Sequence, residues 1–226
     1  MDYIKTEPRL LIYNSVAEEQ YKRFHTIEGF SNLAKMLKEN PSIFRINYQW
    51  NGELDQIEDF EYVASLAYAC KNIVFVIEEV SLFCNPSYVP RPLAKIVSIG
   101  RHRNLSLYCT SQTPKQINTL IRSQSSEIIS FSQTEPAHIE WCRAVMGDKA
   151  DIINSLKPFQ ALKWTPEKTT IFDKHWRPLD KQGKTVLASL QNSQSEGSLD
   201  TPDSNPNSND PSETNSMEIE NGPSGD

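Results

Sequence analysis

The sequence predicts an α/β protein built on a mostly parallel sheet with helices on both faces. Three observations lead there. Short apolar runs alternate along the chain with helix-patterned stretches of roughly 10–25 residues, the alternation that joins parallel strands through crossovers. The run Ile73–Ile77 is apolar without a break, as suits a strand buried on both faces. Two apolar runs close on polar clusters, Glu78-Glu79 and Thr110-Ser111-Gln112, and in such sheets ligands sit at the carboxyl ends of the strands.

The elements follow in chain order. RLLIYN (9–14) comes after a proline and reads as a buried strand. Residues 15–40 read as a helix whose apolar stripe is Phe30, Leu33, Ala34 and Leu37, stopped at Asn40-Pro41. SIFRINYQW (42–50) alternates as an extended strand does, and NGELD (51–55) is a turn. Residues 56–70 carry a helical apolar face of Phe60, Val63, Ala64, Ala67 and Tyr68. Past the central strand, residues 92–104 predict a helix with Leu93, Ile96 and Val97 inward. LSLYCTSQ (105–112) is a strand, 115–124 a short helix and 127–134 a further strand. Residues 136–147 form a helix ending at Gly147, and 160–166 with 168–173 predict a hairpin.

Composition divides the chain. Residues 191–226 hold eight acids and no Lys or Arg among Ser, Asn, Pro, Gly and Thr. So little apolar surface cannot offset the entropy of ordering, which predicts a folded part over 1–178 and a disordered acidic tail over 179–226. The whole chain carries −6, so residues 1–190 are near +2. That excludes a globally basic nucleic-acid footprint. Cys70, Cys84, Cys109 and Cys142 form no C-x-x-C pair, and the four histidines complete no zinc pattern. They read as reduced thiols packed as small apolar side chains. With no 18-residue apolar run and no signal-peptide core, the chain reads as cytoplasmic, without a membrane segment.

The strand ends hold the candidate chemistry. An acid closing a buried strand can hold Mg²⁺ through water, and the next can orient or deprotonate an attacking water. Glu78 and Glu79 have that arrangement, which an ordinary strand running out into solvent would share. Gln112 can present its amide to a phosphate, or it can belong to a polar turn before Pro114. Arg101 and Arg103 in GRHRN, and Arg122, have the planar charged fork that suits phosphate. A charged surface turn is the more frequent explanation of such residues.

Read in order, these pieces resemble one family. IVFVIEEVSLF, LAKIVSIGRHRN, LSLYCTSQTPK and INTLIRSQ, with EIISFSQT after them, are similar to the core of the FtsK/HerA-type P-loop ATPases. That superfamily includes DNA translocases, conjugative coupling ATPases, viral packaging ATPases and Zot-like assembly proteins. The resemblance covers residues 9–140 and is most specific over 73–124. It implies ATP and Mg²⁺ as cofactors, Glu78 as the water-bridged Mg²⁺ contact, and Glu79, Gln112 and Arg101 as catalytic groups. Arg103 and Arg122 become candidates for contact with a neighbouring subunit or with DNA. A ring of identical subunits acting on DNA is the implied assembly.

Two features depart from the family pattern. The metal position is Glu78 where the family more often has Asp. No G-x-x-x-x-G-K-S/T phosphate loop occurs in the sequence, so the cradle of backbone N–H groups and its Lys are missing. Three explanations stay open. The loop is encoded ahead of Met1, another polypeptide supplies it, or the chain is a non-hydrolysing relative that binds protein or DNA in assembly or regulation. Without a cradle, weak nucleotide binding and no turnover are expected of the 226 residues alone.

Overall fold

A computed structural model describes residues 6–180 of the protein. Its centre is a five-stranded sheet of β1 (Arg9–Tyr13), β2 (His25–Glu28), β3 (Phe44–Gln49), β4 (Ile73–Ile77) and β5 (Leu105–Cys109), in the spatial order β2-β3-β1-β4-β5. Every neighbouring pair is parallel. The two apolar runs without a break, β1 and β4, lie side by side inside the sheet, with Leu11 opposite Phe75. Strands β2 and β5 are edges and are only partly buried. The expected parallel sheet flanked by helices is therefore present.

Helices α1 (Phe30–Glu39), α2 (Gln56–Cys70), α3 (Arg91–Ile99) and the short α4 (Thr119–Ser123) put their apolar residues into one cluster with Leu11, Ile46, Phe75 and Ile77. Asp55 caps α2, its side chain accepting from the N–H groups of Ile57 and Glu58, which satisfies two of the orphan donors of the first turn. On the opposite face Leu10, Ile12, Val74 and Val76 meet Tyr21 and Phe24. Both come from the stretch 15–24, which is a 3-10 turn and coil rather than helix. The expected helix over 15–40 is thus shortened to its second half, where the stripe Phe30, Leu33 and Leu37 lies. β-Branched Thr26 and Ile27 extend into β2, alongside β3. The helix expected over 92–104 stops at Ile99, and a 3-10 turn over Gly100–Arg103 leads into β5.

A second sheet is antiparallel. Strand β6 (Ile128–Phe131) pairs with β7 (Ala161–Trp164), β7 with β8 (Thr169–Phe172), and β8 with β9 (Pro178–Leu179). The β7–β8 hairpin is the expected one. Helix α5 (Pro136–Met146) and the 3-10 turns over Gly147–Ser155 close its own core with Cys142, Ala150, Ile153 and Leu162. Asp173 holds the turn into β9 by accepting from the Arg177 Nε at 2.8 Å, and these bonds pull its pKa down to about 2. All four cysteines are free. The acidic tail expected from 179 on lies almost wholly outside the described residues.

One buried polar group ties helix to sheet. Asp59 of α2 is 1% exposed and accepts from the Tyr13 hydroxyl at 2.8 Å and the Tyr48 hydroxyl at 2.6 Å. Tyr13 ends β1 and also packs edge-on against Phe60 and Phe83, each 5.2 Å away between ring centres. Burial, together with the Asp59 carboxylate, drives both phenol pKa values far up, so the hydroxyls stay protonated as donors. Tyr13→Phe and Tyr48→Phe are each expected to lower stability by about 1–2 kcal/mol in urea unfolding. Asp59→Ala strands both hydroxyls and should cost roughly 3 kcal/mol or more. An Asp59→Ala midpoint equal to the wild type would show that the clasp contributes nothing.

Candidate active site

The site forms where β4 and β5 end. These strands are parallel neighbours, with Ile77 opposite Cys109, so Glu78-Glu79 and Thr110-Ser111-Gln112 leave the sheet side by side. Two crossed backbone bonds hold them: Thr110 N–H donates to the Ile77 carbonyl at 3.0 Å, and Val80 N–H to the Thr110 carbonyl at 2.9 Å. The third neighbour is β1, whose last residue, Tyr13, accepts from the Glu78 N–H at 3.0 Å.

Glu78 turns inward and is 7% exposed. One carboxylate oxygen accepts from the Tyr21 hydroxyl, and the other from the Thr110 hydroxyl at 2.5 Å. Its pKa is raised, first by burial, against the Thr110 bond that lowers it, with the charges of Glu18 and Glu79 adding to the rise. The Ser15 hydroxyl donates to its carbonyl at 2.6 Å.

Glu79 turns outward. Its backbone is left-handed, at φ 51° and ψ 63°, a conformation that costs a non-glycine residue about 1–2 kcal/mol. The turn separates the two adjacent side chains. One Glu79 oxygen accepts from the Ser81 hydroxyl and, at 3.1 Å, from the Ser111 hydroxyl; the other accepts from the Gln112 N–H at 3.0 Å. The Glu79 N–H donates to Thr110 Oγ1 at 3.1 Å. Thr110 is therefore the link between the two acids, accepting from one residue and donating to the other.

Glu79 meets Gln112 through the Gln112 backbone; the Gln112 side chain is exposed. Arg101 is placed elsewhere. It precedes β5, whereas Glu79 and Gln112 follow the strands, and five strand residues span about 16 Å. Within one molecule Arg101 does not meet Glu79. Arg103 donates to the Tyr68 and Ala69 carbonyls at 2.8 and 3.3 Å, satisfying the end of α2. Arg122 lies over the Trp141 ring at 5.5 Å, joining α4 to α5. Neither of these last two reaches the carboxylates. Tyr21, Ser15 and Ser81 were not among the sequence candidates. Ser81, two residues past Glu79, had a local signal, whereas Tyr21 had none, being 57 positions from Glu78.

Among the described residues no group of three or more His, Cys, Asp or Glu forms a metal cage. Mg²⁺ does not need one, since it is commonly held by one or two carboxylates together with water and phosphate oxygens. Glu78 retains lone pairs beyond its two hydroxyl donors, and its depth fits a water-bridged contact rather than direct ligation.

The raised Glu78 pKa has a consequence for stability. A carboxyl whose pKa is raised on folding contributes stability below its unfolded value, and that contribution is lost as pH rises through the folded value. Glu78→Gln, which keeps the shape and an acceptor, is expected to flatten the fall of the thermal midpoint as pH rises above the ordinary glutamate range. It should raise the midpoint at pH 7 by roughly 2–4 °C for each kcal/mol relieved. A parallel pH profile for wild type and variant would overturn this.

No family model matches the chain, and no curated protein sequence matches it either. Solved structures do. The genome-packaging NTPase B204 of Sulfolobus turreted icosahedral virus 2, in complex with ATPγS, superposes at a TM-score of 0.60 with 17% identity, covering 75% of this chain and 85% of its own. The DNA-packaging ATPase B204 of Sulfolobus turreted icosahedral virus gives 0.60 at 16% identity, with 75% and 86% covered. The pCW3 conjugation coupling protein TcpA, at a TM-score of 0.44 and 12% identity over 86% of this chain and 66% of its own, is too loose a likeness to carry weight. The resemblance read from residues 9–140 thus holds at the level of architecture. The chain has the fold of the packaging NTPase B204.

Proposed function

We propose that this chain is the core of a nucleotide-hydrolysing motor domain that moves or packages DNA. The observation that carries the reading is the Glu79 carboxylate, held by Ser81, Ser111 and the Gln112 N–H at the end of two adjacent parallel strands. A carboxylate fixed by three donors and turned outward is placed to orient or accept a proton from water attacking a phosphorus atom. Glu78 would hold Mg²⁺, which when bound would supply charge neutralisation at the transferring phosphate. The exposed Gln112 amide would contact the γ-phosphate. Arg101, remote from its own Glu79, would serve the nucleotide of the next subunit in a ring. The B204 structures support the nucleotide, since one is a complex with ATPγS.

The reading needs a phosphate cradle, and the sequence holds no phosphate-loop motif. Strand β5 suggests where the cradle docks. Among the described residues it pairs with β4 alone and leaves its other edge open beside Ser111 and Gln112. A further strand there delivers its loop next to Glu79. The same missing motif favours a second reading, in which the chain is a non-hydrolysing relative that binds DNA or protein in an assembly.

The two readings separate in one experiment. A strand, phosphate loop and helix fused ahead of residue 1 should give Mg²⁺-dependent phosphate release from ATP. Glu79→Gln in that fusion should lower kcat by about 10²–10⁴-fold while leaving nucleotide binding nearly unchanged. The 226 residues alone should neither bind ATP tightly nor hydrolyse it. Strong turnover by the chain alone would refute the assignment of the missing part. A fusion that binds ATP and never turns over would favour the second reading.

A further inference from the structure

Residues 80–126 contain six Lys and Arg and no acid, in a chain whose net charge is −6. Folding gathers part of this block into one cleft. Arg91 and Lys95, one turn apart on α3, line a cleft of about 280 Å³ with Pro92 and with Ser65 and Tyr68 of α2. The Lys95 ammonium and the Arg103 guanidinium both lie 4.5 Å from the Tyr68 ring centre. Arg91 and Lys95 are exposed, and neither forms an ion pair with an acid among the described residues. The acid nearest along α2, Glu61, is engaged by the Tyr88 hydroxyl at 3.1 Å. Arg91 also stands in the first turn of α3, where the helix dipole favours an anion and disfavours a cation. A bound anion would meet the helix end and two cations together.

We infer that this cleft between α2 and α3 binds the phosphodiester backbone of a nucleic acid. Arg91 offers a bidentate fork and Lys95 a point charge to successive phosphate oxygens. Tyr68 is already engaged by two cations, so the cleft offers no free ring for a base to stack on. It reads charge and not sequence, as backbone contacts do. The inference deepens the motor reading by naming the surface that holds the polyanion, and it rests on that reading only for the choice of nucleic acid.

The test is fluorescence anisotropy of the full chain with a labelled duplex of about 30 base pairs at low salt. Arg91→Glu/Lys95→Glu should weaken binding at least about tenfold and lower the slope of log K against log salt by about 2. The milder Arg91→Gln/Lys95→Gln should show an intermediate loss with an unchanged thermal midpoint, which keeps the test valid if charge reversal unfolds the chain. Lys149→Glu/Lys168→Glu, an equal change of charge elsewhere, should shift binding by less than about twofold. Equal losses in the two charge-reversed proteins would overturn the site, as would no binding of duplex by the wild type. Displacement of duplex by inorganic tripolyphosphate at equal phosphate concentration would assign the cleft to a small polyphosphate instead. Equal displacement by poly-glutamate would assign it to an acidic peptide, and either result would overturn the proposal. The duplex assay involves no nucleotide turnover, so a failure here is separable from a failure of the hydrolytic reading.

Discussion

The start of the acidic pair depends on how Tyr13 is held. Its side chain donates to the buried Asp59 and packs against Phe60 and Phe83, and its carbonyl accepts from the Glu78 N–H. One residue at the end of the central strand thus anchors α2 through its hydroxyl and fixes the start of the acidic pair through its backbone. Asp59 has no basic partner in this arrangement; two phenols satisfy it. A buried carboxylate is tolerable only where such donors are complete, and so the helix cannot slide along the sheet without stranding a charge.

The adjacent acids then separate by environment. Glu78 is drawn under Tyr21 and Thr110 and loses solvent, which raises its pKa. The left-handed backbone at Glu79 sends the next side chain outward to Ser81, Ser111 and the Gln112 N–H. Groups of the same chemical type thereby acquire different work, one set by desolvation and the other by hydrogen bonding at an accessible strand end. The strain at Glu79 is the conformational cost of that division.

The legible parts of the fold were those governed by local periodicity and continuous apolarity. Ile73–Ile77 could only be an inner strand, and the stripe of Phe30, Leu33 and Leu37 could only be a helix face. His25–Glu28 was hidden because four residues give too short a signal, and its pairing with β3 is a tertiary fact. The strand at Ile128–Phe131 was visible, but not its membership of a separate antiparallel sheet, because pairing direction is not written in a single strand. The meeting of Glu79 with Ser111 and Gln112 could be read from strand ends, since parallel neighbours finish together. The clamp of Tyr21 on Glu78 could not, because nothing local links a 3-10 turn to a strand end far along the chain. Arg101, Arg103 and Arg122 show the limit of residue type as a guide: one sits at the far end of a strand, one serves a helix terminus and one stacks on Trp141.

The strand order also sets a timetable. Strand β1 is made before either of its partners, which lie far down the chain, with Arg9 opposite Phe44 and Leu10 opposite Val74. While the chain is being synthesised, the future centre of the sheet leaves the ribosome as a bare apolar segment, and its second flank is not available until about 65 residues later. Closing loops of that length precedes any reward from pairing, so formation of such a sheet is slow and its early intermediates are adhesive. Until β4 has been translated, nascent β1 is without its second flank.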